Sequence, residues 1–181
     1  MRAAPVEAIG YGEKVYRPYE PNTGESLMGS SDPEVTARLL AEAQGGGDRT
    51  YRLAVVHLLG MRADPGVDAA LIALLGDPDV RATAGYLLGR AGFKGYPVRA
   101  RDAATVVAAL RLHLDDASEF TDPFYRRTFR TQDFVLGALV RVLGPERITT
   151  RDTRVEDQIG YALPWWNEEV RSELLAQVRA K

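Results

Sequence analysis

The hydrophobic pattern of this 181-residue chain changes at Ser31. Beyond that point apolar residues recur at spacings of three and four, with short breaks between segments, which is the pattern of consecutive amphipathic helices. Residues 1–30 are instead rich in Tyr, Pro and Gly and follow neither a helical nor a strand period. We therefore predict an irregular N-terminal arm over 1–30 and an all-α domain over 31–181.

Repeated Asp-Pro dipeptides mark the predicted helix starts. An Asp side chain can accept a hydrogen bond from a free backbone N–H at a helix N-terminus, and Pro fits the first helical position because its φ is already helical. The dipeptides are Asp32-Pro33, Asp64-Pro65, Asp77-Pro78 and Asp122-Pro123. The spacing of apolar residues also predicts helices from about Asp102 to Asp116 and from Asp122 to about Leu143, the second long enough to be kinked or split near Thr131.

The predicted helices repeat in pairs. An offset of 29 residues aligns the segments 48–52 and 58–60 with 77–81 and 87–89. The preceding helices align at an offset of 32, and the three glycines at 45–47 account for the difference. A third copy of the helix start begins at Asn167. Because one helix pair cannot bury its apolar side alone, repeated pairs stack into a shared core. We therefore predict an α-solenoid of about three to four imperfect pairs.

The segment 67–89, VDAALIALLGDPDVRATAGYLLG, resembles the HEAT repeat, and in particular its short bacterial form. The resemblance is strongest over 64–91 and extends over 32–60. It implies a protein-binding role as a scaffold, an adaptor, an enzyme subunit or an inhibitor of the immunity-protein kind. In that family a matching Asp and Arg form a ladder between neighbouring repeats. The positions that match here are Asp48, Arg52, Asp77 and Arg81, for which the resemblance implies a structural role.

A helical wheel selects candidate contact residues. Val80, Ala84 and Leu87 cluster on the core side of their helix, and Tyr86 points almost the opposite way. Its repeat equivalent is His57. Apolar groups away from the core are candidates for a protein contact, so we expect Tyr86 and His57 to anchor a partner. The supporting residues would be Leu53 and Ala82 on the same side, and Phe93 and Tyr96 in the following loop. The alternative is that this side packs against the arm or the next repeat.

Composition narrows the classes of function. The 23 basic and 25 acidic residues leave a net charge of −2, which disfavours a nucleic-acid partner. The chain has no Cys, so it cannot build a disulfide, a thiolate nucleophile or a Cys-ligated zinc site. The apolar runs are too short to span a membrane and no secretory signal is recognisable, so we expect a cytoplasmic protein with no membrane partner.

No motif indicates catalysis. The two histidines, His57 and His113, lack the partners that a metal site or a general base needs. Gly10-Tyr11-Gly12 is an incomplete dinucleotide fingerprint. We therefore expect a non-catalytic protein without a cofactor or metal, which binds another protein.

Two other functions remain open. Arg residues interleave with aromatics over 125–130, and Lys94, Arg99 and Arg101 lie in a long loop, which is typical of nucleic-acid surfaces. HEAT-like DNA glycosylases exist, although acidic residues precede the 125–130 cluster closely enough to neutralise it. Family analogy alone also suggests a HEAT-like bilin lyase. We interpret Trp165-Trp166 as an apolar lid over the end of the helical stack.

Overall fold

A computed structural model describes residues 31–45, 47–93, 95–122, 127–149 and 168–181. The predicted arm, Lys94 and the Trp165-Trp166 pair lie outside these residues. The described chain is mainly helical, as predicted, with seven helices and one two-stranded sheet. The helices are α1 (Pro33–Gln44), α2 (Arg49–Gly60), α3 (Val67–Leu74), α4 (Arg81–Leu88), α5 (Ala103–Arg111), α6 (Thr131–Leu143) and α7 (Glu168–Ala180). The strands are β1 (Glu119–Asp122) and β2 (Arg127–Arg130).

Acidic residues cap several helix starts. Asp32 accepts a hydrogen bond from the Glu34 N–H at 2.9 Å, and Pro33 is the first helical residue. Asp48 accepts from the Tyr51 N–H at 3.1 Å. These carboxylates stabilise the helices because they satisfy N–H groups that have no partner within the helix.

The Asp64-Pro65 and Asp77-Pro78 dipeptides lie in the turns that lead into α3 and α4. The Asp64 carboxylate accepts from the Gly66 N–H at 2.5 Å. The Asp77 carboxylate accepts from the Asp79 N–H at 3.0 Å, and the Asp77 carbonyl accepts from the Arg81 N–H at 2.8 Å. The prediction that Asp64 and Asp77 cap these helices is wrong, because α3 and α4 begin after Gly66 and Val80 and neither helix start has a side-chain cap. The two carboxylates instead stabilise the turns that precede the helices.

The helix predicted from Asp122 is wrong over its first part. β1 and β2 form an antiparallel hairpin in which Phe120 pairs with Phe129, and helical structure begins only at Thr131. Thr and Phe suit a pleated strand. The paired rings also pack against Phe134 of α6, each with its centroid 5.3 Å from the Phe134 centroid. This aromatic contact, which no local periodicity signals, stabilises the hairpin.

The helices pack in pairs and in two rows. α1 packs on α2, α3 on α4, and α5 on α6. α3 also contacts both α1 and α5, while α4 contacts both α2 and α6, and α7 packs on α6. One continuous apolar core runs between them. Fully buried members include Val55, Leu59, Leu71, Leu87, Leu139 and Leu174.

Two glycines permit the close approach of successive helices. A Cβ on Gly60 would lie 2.5 Å from the Leu87 side chain of α4. A Cβ on Gly89 would lie 2.7 Å from the Ala138 backbone of α6. Gly60 and Gly89 are repeat equivalents, 29 residues apart. The same glycine position thus makes room for the next helix at both α2–α4 and α4–α6.

No helix in the described residues combines the length and the apolar character that crossing a membrane requires.

Candidate interaction site

Arg52 and Arg81 make equivalent contacts at equivalent repeat positions. Arg52 donates from Nε to the Ala43 carbonyl at 2.7 Å, nine residues back. Arg81 donates from Nε to the Leu75 carbonyl at 2.6 Å, six residues back. The difference of three equals the length of the glycine insertion at 45–47. Each arginine therefore ties its own helix to the end of the preceding helix in the same pair.

The same two arginines also reach forward along the chain. Arg52 pairs with Asp77 of the next pair, and also with Asp79 at 3.2 Å. Arg81 pairs with Asp116 at 2.5 Å. Burial tends to raise the pKa of Asp116, but hydrogen bonds from Ser118 and Arg81 outweigh burial and leave that pKa below its usual range. The Asp48 carboxylate, in contrast, makes its hydrogen bond to the α2 backbone.

A second set of arginines converges on Asp68. Arg99 is buried and donates to Asp68 Oδ1 from Nε at 3.1 Å and from an Nη at 2.9 Å. Arg101 donates to Asp68 Oδ2 at 2.9 Å. Burial lowers the pKa of Arg99, and the Asp68 charge opposes this effect. Both loop arginines proposed as phosphate ligands are therefore engaged by an internal carboxylate.

Arg90 has different surroundings. Its guanidinium carbon lies 5.2 Å from the ring centroid of Tyr86, 4.8 Å from that of Phe93 and 4.8 Å from that of Tyr96. Arg90 is 7% exposed, and its Nε is buried without a hydrogen-bond partner. We call Arg90 with these three rings the Arg90 cluster. The three rings are half-buried, so each keeps some exposed surface beside the buried cation.

Arg141 of α6 approaches the same cluster. Its guanidinium carbon lies 3.3 Å from the Phe93 ring centroid, and its Nε donates to the Gly89 carbonyl at 2.8 Å. Burial, and to a smaller extent the like charge of Arg90, lower the pKa of Arg141 to about 10 against an opposing effect of Tyr86. Two cations therefore share one aromatic ring in partly desolvated surroundings.

The structure gathers four of the six predicted contact residues. Phe93 and Tyr96 belong to the Arg90 cluster with Tyr86, and the His57 ring meets the Tyr86 ring edge-on at 6.5 Å between centroids. Tyr86 also packs edge-on against Phe134 at 5.8 Å. Part of the flank expected to be open is therefore filled by α6 of the same chain.

The expected outward position of Leu53 and Ala82 is wrong. Leu53 is 2% exposed and belongs to the main core, because α2 contacts α1, α3 and α4 and keeps little open surface. Ala82 is buried beneath Phe129 and Phe134. A helical wheel of one helix does not show that other helices pack on several of its sides, which is why Leu53 was misplaced. Ala82 was misplaced because the hairpin that covers it was not predicted.

Sequence analysis did not identify Arg90 or Arg141. A signal for Arg90 existed, because the repeat offset places it on Met61. When a cation replaces an apolar residue at a repeat position next to the core, that position has a different role in the two repeats. Arg141 gives no such signal, since its contact with Phe93 joins α6 to a distant loop.

The described residues hold no group of three or more His, Asp or Glu side chains that could bind a metal ion. No family model matches the chain, nor does any curated protein or solved structure. The resemblance to HEAT repeats therefore stays a prediction, and the geometry of the Arg90 cluster has to carry the functional argument.

Proposed function

We propose that this protein is a HEAT-like α-solenoid that binds another protein, without catalysis, through the Arg90 cluster. The observation that carries the proposal is a buried arginine with an unsatisfied Nε, ringed by three half-buried aromatic side chains. Aromatic residues and arginine are the residue types most enriched at the centres of protein interfaces.

Three features support the solenoid. The helices pack in pairs and in two rows, as stacked repeats require. Arg52 and Arg81 both bind the preceding helix end and an acid further along the chain. Gly60 and Gly89 both make room for the next helix in their row. The arginine contacts and the glycine positions recur at the 29-residue offset between the first and second helix pairs.

The charge arrangement favours a protein partner over nucleic acid. A phosphate-binding surface needs a stripe of available cations. Arg99 and Arg101 bind Asp68, Arg130 binds Asp133 at 2.8 Å, and the chain carries a net charge of −2. The Arg90 cluster, in contrast, is a small aromatic cluster with a cationic centre, which suits a protein side chain better than a polyanion.

Affinity capture from cells of the source organism tests the proposal. The full chain, Phe93→Ala and Val98→Ala would be immobilised in parallel. Val98 lies in the same loop and is 81% exposed, so its substitution is a matched control. We expect a stoichiometric protein partner with the wild type and the control, and affinity at least about tenfold weaker for Phe93→Ala, the effect of losing an interface anchor. Circular dichroism would show that each variant is folded.

Two results would overturn the proposal. One is a partner that binds Phe93→Ala as tightly as the wild type. The other is capture of nucleic acid alone, released steeply as salt is added, since that dependence is characteristic of phosphate contacts.

A further inference from the structure

We infer that the Arg90 cluster recognises a carboxylate of an acidic side chain on the partner protein, which enters between the aromatic rings and pairs with the Arg90 guanidinium. This inference rests on the proposed function, because it assigns the ligand chemistry of the same surface.

The first step is the contrast between Arg90 and the other buried arginines. Four arginines in the described residues are buried: Arg52, Arg62, Arg90 and Arg99. Arg52 and Arg99 pair with Asp77 and Asp68, and Arg62 donates to Thr36 Oγ1 at 2.8 Å and to the Asp32 carbonyl at 2.7 Å. Within the described chain, Arg90 alone of the four has no oxygen partner; its contacts are with aromatic faces.

The second step is the cost of that arrangement. A guanidinium has five N–H donors, and a buried charge is expensive unless it is paired and hydrogen-bonded. Cation–π contacts with three rings recover part of this cost. The ring contacts do not satisfy the donors in the guanidinium plane, and one of them, Nε, is buried without a hydrogen-bond partner. Planar, bidentate pairing of these donors is the geometry that a carboxylate satisfies best.

The third step is the second cation. The Arg141 guanidinium lies over the ring of Phe93, which Arg90 also contacts. A hydrogen bond to the Gly89 carbonyl holds Arg141 in this position. The like charge of Arg90 contributes to the lowered pKa of Arg141, so the two guanidinium groups repel each other. An anion that pairs with Arg90 would weaken this repulsion.

The rim selects a carboxylate over a phosphate. A phosphate monoester carries a charge of about −1.5 to −2 and needs many donors once desolvated. The rings of Tyr86, Phe93 and Tyr96 offer aromatic surface, which can pack against the CH2 groups of an Asp or Glu side chain. A single charge on an apolar stem therefore fits this site, whereas the sugar-phosphate chain of a nucleic acid does not.

An NMR titration of the full chain with sodium acetate, the minimal carboxylate, tests the inference. Sodium chloride at equal ionic strength and inorganic phosphate would be titrated in parallel. The readouts are the side-chain Nε–H signal of Arg90 and the backbone amide signals of Phe93 and Tyr96. We expect saturable shifts with acetate, with a Kd of about 1–50 mM for so small a ligand. Chloride should produce no saturable change, and phosphate should bind more weakly than acetate.

The variants are Arg90→Met and, as the matched control, Arg49→Met. Arg49 also lies over an aromatic ring, 5.7 Å from the Phe120 centroid, but it donates to the Asp79 carbonyl at 3.3 Å. Arg90→Met should weaken the acetate response of the Phe93 and Tyr96 amides at least tenfold, and Arg49→Met should retain it.

Each other outcome overturns the inference. Acetate shifts no larger than those of chloride would leave Arg90 as a packing residue, and tighter binding of phosphate would replace the carboxylate with a different ligand. The experiments distinguish an error in the carboxylate inference from an error in the proposed function. Acetate binding without a protein partner would refute the docking role alone, whereas Phe93-dependent partner binding without acetate binding would refute the carboxylate alone.

Discussion

Two pairs of arginines contact the segment that joins α4 to α5 or belong to it, and the two pairs differ in the group that their members share. Arg99 and Arg101 share the carboxylate of Asp68. Arg90 and Arg141 share the ring of Phe93. Each pair contains one buried arginine and one partly exposed arginine. Their burial is therefore similar, and the difference lies in the partner.

The comparison separates a structural role from a binding role. A buried cation that an internal carboxylate satisfies contributes to one defined fold, and removal of the acid leaves an uncompensated charge. A buried cation among aromatic rings, with a donor left over, retains capacity for an external anion. Four substitutions, two of them with a control substitution, test these roles in order of decreasing expected effect.

Asp68→Asn should be the most destabilising of these changes. It leaves Arg99 buried without an opposite charge, which typically costs about 3–5 kcal/mol in the free energy of unfolding. Urea unfolding followed by circular dichroism measures the loss. The control is Asp115→Asn, which breaks the exposed contact with Arg179 and should cost about 0–1 kcal/mol. Equal, small losses in both variants would contradict the structural role of the Asp68 pair.

Gly89→Ala should destabilise the protein next most strongly. The new Cβ would lie 2.7 Å from the Ala138 backbone, where α6 carries Arg141 towards Phe93. Overpacking of this kind costs about 1–3 kcal/mol. The control is Gly137→Ala in α6, which meets nothing within 4 Å and should gain up to about 1 kcal/mol from helix propensity. Thermal and urea unfolding compare the two, and changes of the same sign would contradict the close approach.

Arg90→Met should change the free energy of unfolding by no more than about 1 kcal/mol. The cation–π contacts are lost, but the cost of burying the charge is removed, and such replacements by apolar residues are often neutral. Urea unfolding alongside Asp68→Asn gives the contrast directly. A loss for Arg90→Met as large as that for Asp68→Asn would make the Phe93 pair as structural as the Asp68 pair.

The smallest expected effect concerns His113, beside the paired arginine Arg81. Burial lowers the pKa of His113, and the Arg81 charge lowers it further against an opposing effect of Asp116. Because the unfolded chain takes up the proton first as the pH falls through about 6.5, the folded state should lose stability below that pH. His113→Asn should reduce this loss between pH 7 and pH 5 in parallel urea titrations. An unchanged pH profile would show that His113 contributes nothing.

Local signals in the sequence could predict much of the helical structure. Asp32 and Asp48 cap helices through contacts within three residues, and the leucine periodicity reports directly on burial. The hairpin was missed because its strands are four residues each and depend on Phe134, which lies outside them. The length of the predicted helix indicated a kink or a split near Thr131, where α6 does begin, but it did not indicate that the residues before Thr131 form a strand.

The candidate site was only partly predictable for the same reason. Tyr86, Phe93 and Tyr96 could be selected as aromatic residues on or after one helix. Their relation to Arg90 depends on how the loop folds back, and the relation to Arg141 depends on the packing of α6. Leu53 was misassigned because three helices surround α2. Residues whose role comes from contacts between distant segments were the ones that periodicity did not identify.

The most direct test of the central claim is chemical-shift mapping of the captured partner on the full, isotope-labelled chain. The account predicts that the largest amide shifts fall at Tyr86, Phe93 and Tyr96 and at neighbouring positions of α4 and α6, with little change around Asp68. Shifts concentrated on α1 and α3, with the amides of the Arg90 cluster unmoved, would contradict it.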